Sequence, residues 1–319
     1  MTNKKCHFRI DRFIFVLITV IMLIFVSDFV RRRICNYMNI YGSPHAVVKI
    51  QGLPDSAIGM SMTYETEKEN TTQYKSTFIE IEIDNSQIFS GELLEVNSEK
   101  PYISPVINPT VNLVSYRNEY YTLINETDPV ILNTEAADAL NNMMEDYYKS
   151  TGQTNFLVYG TTNTYTGAGS YCPCAFPESI TGNTIDVAVN VGASVLTYDG
   201  CDVEKWIVEN CYRYGYIVRF PENKSEKTGY TYFPWHLRYV GKVHSAAMNE
   251  LGYCLEEYLD LLDKYTYDHP LYYNLNGSMY YIYTEKSAGQ TTNVSVPAQN
   301  QYTISGDNTD SFIITSLRV

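Results

Sequence analysis

The sequence of 319 residues predicts an α+β fold. Helical order shows in Ala136, Leu140, Met143, Met144, Tyr147 and Tyr148, which recur at three- and four-residue steps and form one apolar stripe. Strand order shows where Ile79, Ile81 and Ile83 alternate with Phe78, Glu80 and Glu82, and where Ile185, Val187, Val189 and Val191 alternate with Asp186, Ala188 and Asn190. The tail from Tyr272 to Val319 breaks into short strand-like runs between Gly, Asn and Pro signals.

Taken in order, the chain begins with a basic leader, 1–12, and an apolar run, 13–30, that only Thr19, Ser27 and Asp28 interrupt. Eighteen helical residues rise about 27 Å, barely enough to cross a hydrocarbon core. Arg31, Arg32 and Arg33 follow where a signal peptide would place a small-residue cleavage site, so the run reads as an uncleaved single-pass signal anchor. Residues 31–90 read as a linker with N-terminal strands, and Gly91–Val96 as a further strand. Pro101–Asn112 reads as a loop.

Asn133 or Thr134 caps the helix that carries the apolar stripe, and Gly152 closes it. Phe156–Tyr159 is a short strand. A second helix starts near Asp202, with Val203, Trp206, Ile207, Cys211 and Tyr214 inward and Gly215 at its end. Tyr216–Phe220 is a strand stopped by Pro221, and helices follow from about Val243 to Leu251 and Leu255 to Lys264. Tyr280–Tyr283, Asn293–Val296 and Phe312–Leu317 form a small β unit over 265–319.

Charge narrows the partners. The net charge is −13, yet residues 1–33 hold seven basic side chains against two acidic ones, a local +5 that leaves −18 on the rest. Such a body repels phosphate backbones, so nucleic acid is excluded as a partner. It also fits the short basic leader inside and the body outside the cell membrane. Seven cysteines, Cys6, Cys35, Cys172, Cys174, Cys201, Cys211 and Cys254, match no zinc-finger spacing. The last five read equally as disulfide partners or as buried thiols.

Reactive and binding groups concentrate in Tyr232-Phe233-Pro234-Trp235-His236-Leu237-Arg238-Tyr239-Val240-Gly241. Any active site belongs here. With Trp206–Asn210, Tyr214–Pro221 and Lys227-Thr228-Gly229-Tyr230, this segment resembles the zinc D-alanyl-D-alanine carboxypeptidases of the VanY type, especially clostridial membrane-anchored members. Gly91–Asn97, Asn141–Asp146, Cys254–Tyr258 and Tyr302–Gly306 extend the likeness over most of the chain from about residue 90. The resemblance implies helices packed on a central, mainly antiparallel sheet, the DD-carboxypeptidase or hedgehog-like fold, over 91–264.

It also implies a chemistry. In that family Ser-x-His-x-x-Gly-x-Ala-x-Asp supplies two zinc ligands, and Glu-x-x-His supplies the catalytic base and the third. Zinc on three protein ligands keeps one position for water and lowers its pKa, while the glutamate moves protons. Aligning Ala188-Val189-Asn190 on Ala-x-Asp puts Asn190 at the aspartate, Asn183 at the histidine, Thr181 at the serine and Asp186 at the glycine. Phe233 takes the glutamate position and Thr162 that of the carboxylate-binding arginine. Of the ligands only His236 remains, and a neutral amide is a poor zinc donor.

The expectation is a membrane-anchored, extracytoplasmic pseudo-peptidase, without cofactor, acting as a cell-wall-associated binding or scaffolding module. Its cleft is expected at Trp235, Arg238 and Asp186, and its partner is a peptidoglycan stem peptide or an envelope protein. The alternatives are an active zinc metallocarboxypeptidase with substitute ligands, for which Cys172, Cys174, Asp186 and His236 are one donor set, and an interaction protein using its tyrosine-rich β unit. Trp235 reads as cleft wall or core. Arg219 and Arg238 either line a groove for an acidic peptide end or neutralise nearby carboxylates. His244 and His269 are expected to be ordinary surface or helix residues.

Overall fold

The computed structural model describes residues 78–103, 109–127, 129–159, 176–192, 194–299 and 301–317. All lie in one compact unit, Lys49–Val319. The expected leader and anchor (1–12, 13–30), Thr162, Cys172 and Cys174 lie outside the described residues. Among the described residues no helix is long and apolar enough to cross a membrane.

In chain order the strands and helices are β1 (Phe78–Asp84), β2 (Thr110–Asn112), β3 (Thr122–Leu123), β4 (Ile131–Asn133), α1 (Thr134–Thr151), β5 (Phe156–Tyr159), β6 (Thr184–Val191) and β7 (Ser194–Thr197). They continue with α2 (Lys205–Asn210), β8 (Tyr216–Phe220), β9 (Phe233–Tyr239), α3 (Lys242–Leu251), α4 (Leu255–Leu262), β10 (Leu271–Leu275), β11 (Ser278–Lys286), β12 (Thr291–Pro297), β13 (Tyr302–Gly306) and β14 (Ser311–Leu317). Two further single helical turns are Leu113–Tyr116 and Ser225–Thr228.

The central sheet runs β3-β5-β6-β9-β8, with β7 also on β6. Only β3 and β5 pair in parallel; its other pairings are antiparallel. Leu140, Met143, Met144 and Tyr147 of α1 share a core with Phe156 and Val158 of β5, Ile185 and Val187 of β6, and Leu237 of β9. Helical and strand periods thus bury one common face. Burying each aliphatic side chain stabilises by about 1.5–3 kcal/mol. Tyr148 is the exception in the expected stripe: it is exposed and stacks on Tyr120 at 5.1 Å. Asn133 stands before α1 but gives it no side-chain cap, and Gly152 closes it in the left-handed region at φ 71.

The opposite face of the sheet meets the C-terminal half. Leu93, Ile217 and Val240 pack with Ala247 and Met248 of α3, Leu255 and Tyr258 of α4, and Leu271, Ile282 and Ile313 of the tail. The tail sheet, β10-β11-β14-β13, therefore shares a core with the part before it, across the boundary expected near 265. Likewise β12 pairs with β1, from the opposite end of the described chain.

Other expectations shift locally. Gly91–Val96 is no strand; it is pinned to the tail, with Gly306 N–H donating to Ser90 O at 2.8 Å and Leu93 N–H to Ser305 Oγ at 2.9 Å. Asn112 ends β2, where a loop was expected. Val203 is exposed, because Asp202–Glu204 is a short 3-10 turn that precedes α2.

Candidate functional site

Register places the site. Across β6 and β9, Asp186 lies opposite His236 and Thr184 opposite Arg238, while Ile217 of β8 lies opposite Arg238. Alternation puts Asp186, His236, Arg238 and Ile217 on one face, and Ile217 belongs to the core shared with α4 and the tail. A 3-10 turn, Pro177–Thr181, precedes β6 and sets Glu178 against the same face.

These side chains form one buried charged cluster. His236 Nδ1 is 2.5 Å from Asp186 Oδ1, and its Nε2 is 3.0 Å from Glu178 Oε1. The other Glu178 oxygen, Oε2, accepts from Arg219 Nε at 3.0 Å and Arg238 NH1 at 2.8 Å. Arg219 also makes a two-pronged contact with Glu256 of α4, at 2.6 and 3.2 Å. Arg238 NH2 donates to the carbonyls of Glu92 and Leu94. Glu178, Asp186, Arg219, His236 and Arg238 are each at most 2% exposed.

Paired charges make such burial tolerable. Burial pushes the Glu178 carboxyl up, but Arg219, the His236 hydrogen bond and Arg238 outweigh it and hold the group far below the ordinary carboxylate range. Burial opposes protonation of His236, and Asp186 and Glu178 reverse that, raising its pKa. Nearby Glu92 is pushed up to about 7 by burial and by Glu135, against Arg238.

The expected site residues divide. Asp186, His236 and Arg238 come together, but all three are closed off, so no open cleft exists at them. Trp235 points to the other face, into the core of α1, at 6% exposure. Phe233 is half-buried in an aromatic group with Trp235 and Phe176. Phe176 also lies against the His236 ring, 4.4 Å between centroids. Arg219 and Arg238 neutralise carboxylates and line no groove.

Asn183 and Asn190 do not flank His236 as expected. Asn190 is exposed, four residues beyond Asp186 or about 13 Å along the strand. Asn183 accepts from Asn133 Nδ2 at 2.6 Å and donates to Gly91 O at 3.1 Å. His244 is no surface residue: at 5% exposure its Nδ1 meets Tyr258 Oη and its Nε2 meets Thr315 Oγ1, both at 2.9 Å. His269 is exposed. Cys201, Cys211 and Cys254 are buried thiols.

Glu178, Glu256 and Phe176 carry no local mark in the sequence. One signal pointed to an acid: Arg219 and Arg238 sit inside apolar strand segments, and a buried guanidinium requires a carboxylate.

A zinc ion needs donors that converge on one point. Here Asp186 and His236 Nδ1 lie together, while Glu178 holds the other ring nitrogen and is committed to two guanidinium groups. Among the described residues no group of three His, Cys, Asp or Glu side chains is arranged to hold a metal. Asp186 and His236 are two of the three donors a zinc site needs, and the described residues supply no third.

Comparison with known proteins gives this scaffold a class. The vancomycin-resistance D,D-dipeptidase VanXYg, solved with a D-Ala-D-Ala phosphinate analogue, superposes with a TM-score of 0.64 at 24% identity, covering 76% of this chain and 100% of that one. The fold is that of the D,D-peptidases. The VanY family, described as D-alanyl-D-alanine carboxypeptidase, matches residues 178–242. A D-alanyl-D-alanine carboxypeptidase of Enterococcus faecium is 32% identical over 245 residues, which are 73% of this chain and 77% of the relative. The chain belongs to the VanY-type D-alanyl-D-alanine carboxypeptidase family. A VanY D,D-pentapeptidase from a VanB-type resistance cassette, at 24% identity and a TM-score of 0.35 over 53% of this chain and 98% of that one, is solved with Zn(II).

Proposed function

We propose that the protein is a membrane-anchored, extracytoplasmic pseudo-peptidase, a D-alanyl-D-alanine carboxypeptidase scaffold retained as a cell-wall-associated binding or scaffolding module. One observation carries the reading: His236 is wholly buried with both ring nitrogens engaged by carboxylates. Sequence supports it through Phe233, which stands three residues before His236 where the family motif has its glutamate and has no proton to exchange. Loss of general acid-base chemistry alone typically costs about 10² to 10⁴ in rate.

The cross-strand pair also supports a new register for the other motif. Sliding it by four residues puts Gly182 on the glycine, Thr184 on the alanine and Asp186 on the aspartate. Ser179 then stands at the histidine and Pro177 at the serine. In this register two of three ligand positions keep their residue type, Asp186 and His236, and Ser179 and Phe233 mark the losses.

That retained pair favours a second reading, a working zinc carboxypeptidase with a substitute third ligand. The two separate on the full-length chain in detergent micelles, incubated with muramyl pentapeptide. The pseudo-peptidase reading expects no D-alanine release above the protein-free control. Release that disappears in His236→Ala would establish the enzyme.

A further inference from the structure

The turn that joins β10 to β11 sets a side-chain amide beside a backbone nitrogen with which it can react. We propose that Asn276 is a site of spontaneous deamidation, paced by the side chain of Asn274. The assignment is independent of the chemistry on the β6 and β9 face.

Sequence and hairpin geometry coincide at this turn. Asn276-Gly277 is the one Asn-Gly pair in the chain. The two residues form the whole connection, because Leu275 pairs with Ser278 as the last rung of the ladder. Both have positive φ, 53 and 87, as two-residue hairpin turns favour. Asn276, Gly277 and Ser278 are exposed, so water and hydroxide reach the turn. Among the described residues no hydrogen bond holds the Asn276 side chain. Apart from its chain neighbours, nothing lies within 4 Å of where a Gly277 Cβ would stand, so the nitrogen is not crowded. Asn223 shares the exposure and the positive φ, but the side chain of Lys224 stands beside its attacking nitrogen.

The reaction needs only water. Hydroxide takes the Gly277 N–H proton, and the nitrogen attacks Asn276 Cγ. A new N–Cγ bond closes a succinimide ring, the Cγ–Nδ2 bond breaks, and the departing nitrogen takes a proton from water to leave as ammonia. Water then opens the ring. Cleavage of N–Cγ gives aspartate, and cleavage at the main-chain carbonyl gives isoaspartate. The first step is the one the fold controls: Gly277 N–H donates to Asn274 Oδ1 at 2.9 Å, and a hydrogen-bonded amide proton is protected from solvent. Asn274 therefore slows the proton loss. Isoaspartate routes the chain through Cβ and Cγ, so the product lengthens the turn and charges it. Leu271, Tyr273 and Ile282 lie further along the hairpin, in the core shared with α4.

Peptide mass spectrometry of the full-length protein in detergent micelles, aged for several days in neutral and in mildly alkaline buffer, tests the assignment. The peptide that carries Asn276 is expected to gain about one mass unit, NH₂ exchanged for OH, and to gain it faster in the alkaline buffer. An isoaspartyl methyltransferase should label the aged wild type. Asn276→Asp should keep its mass, Gly277→Ala should slow the gain, and Asn274→Ala should speed it. No gain in the wild type, or a gain in that peptide that persists in Asn276→Asp, overturns the site. An Asn274→Ala protein that deamidates no faster than wild type overturns the pacing.

Discussion

Asp186 and His236 face each other across β6 and β9, with Oδ1 2.5 Å from Nδ1 and both side chains buried. Removing the aspartate charge leaves a buried ring nitrogen without its charged partner. Asp186→Asn should cost about 3–5 kcal/mol, the range for breaking a buried pair. Asn190→Ala, at an exposed position, should change stability by less than about 0.5 kcal/mol. Urea unfolding of both variants checks this, and equal losses would remove the basis for placing Asp186 in the aspartate slot of the motif.

His244 gives the fold a pH dependence of known sign. Burial lowers its pKa from 6.5 to about 4, and two hydroxyl groups occupy its nitrogens. The unfolded chain therefore binds the proton more readily than the folded one between those values. Stability from this residue is complete above about pH 6.5 and falls as the pH drops towards 4. At pH 4.5 the loss should be about 2–3 kcal/mol relative to pH 7. Unfolding curves at both pH values should show this excess loss in wild type and not in His244→Gln; equal pH dependence in the two would count against it.

Two glycines separate conformational need from crowding. Gly152 has φ 71 with open space where a methyl would stand, whereas a Cβ on Gly215, at φ 96, would lie 2.6 Å from the Tyr239 ring. Gly152→Ala should cost about 1 kcal/mol, the left-handed penalty alone. Gly215→Ala should cost about 3 kcal/mol, since overpacking adds to it. Thermal melts of the two variants rank them, and a larger loss at Gly152 would contradict the packing described.

Local patterns in the sequence located β1, α1, β5, β6, β8, β11, β12 and β14, by one buried face in α1 and by apolar or alternating runs in the strands, of which β5, β8, β14 and most of β6 are buried on both faces. They did not locate β10 or β13, although each pairs with the next strand, β11 or β14, nor the detachment of Gly91–Val96 from any ladder, which depends on Ser305 and Gly306 far along the chain. His236 and Arg238 stood out by residue type. Asp186 was visible, yet its place opposite His236 was not, because only pairing with β9 brings the two together. Glu178 was hidden because nothing local distinguishes a buried acid from a solvated one in a turn.

The shared second core predicts how the chain responds to shortening. Leu271, Tyr273, Ile282 and Ile313 from the tail pack with Leu255, Tyr258 and Leu262, and Thr284 N–H donates to Tyr265 O at 2.9 Å. Thr315 holds His244, and Ser305 Oγ holds the backbone of Leu93. Each of those aliphatic side chains is worth about 1.5–3 kcal/mol, so removing them together consumes most of a typical stability of about 5–15 kcal/mol. A chain ending at Lys264 should therefore lack a cooperative melting transition, while Ile282→Ala in the full chain should fold with a loss of about 2–5 kcal/mol. Calorimetry of both decides the matter: a sharp transition in the shortened chain would show that residues 265–319 are an independent appendage.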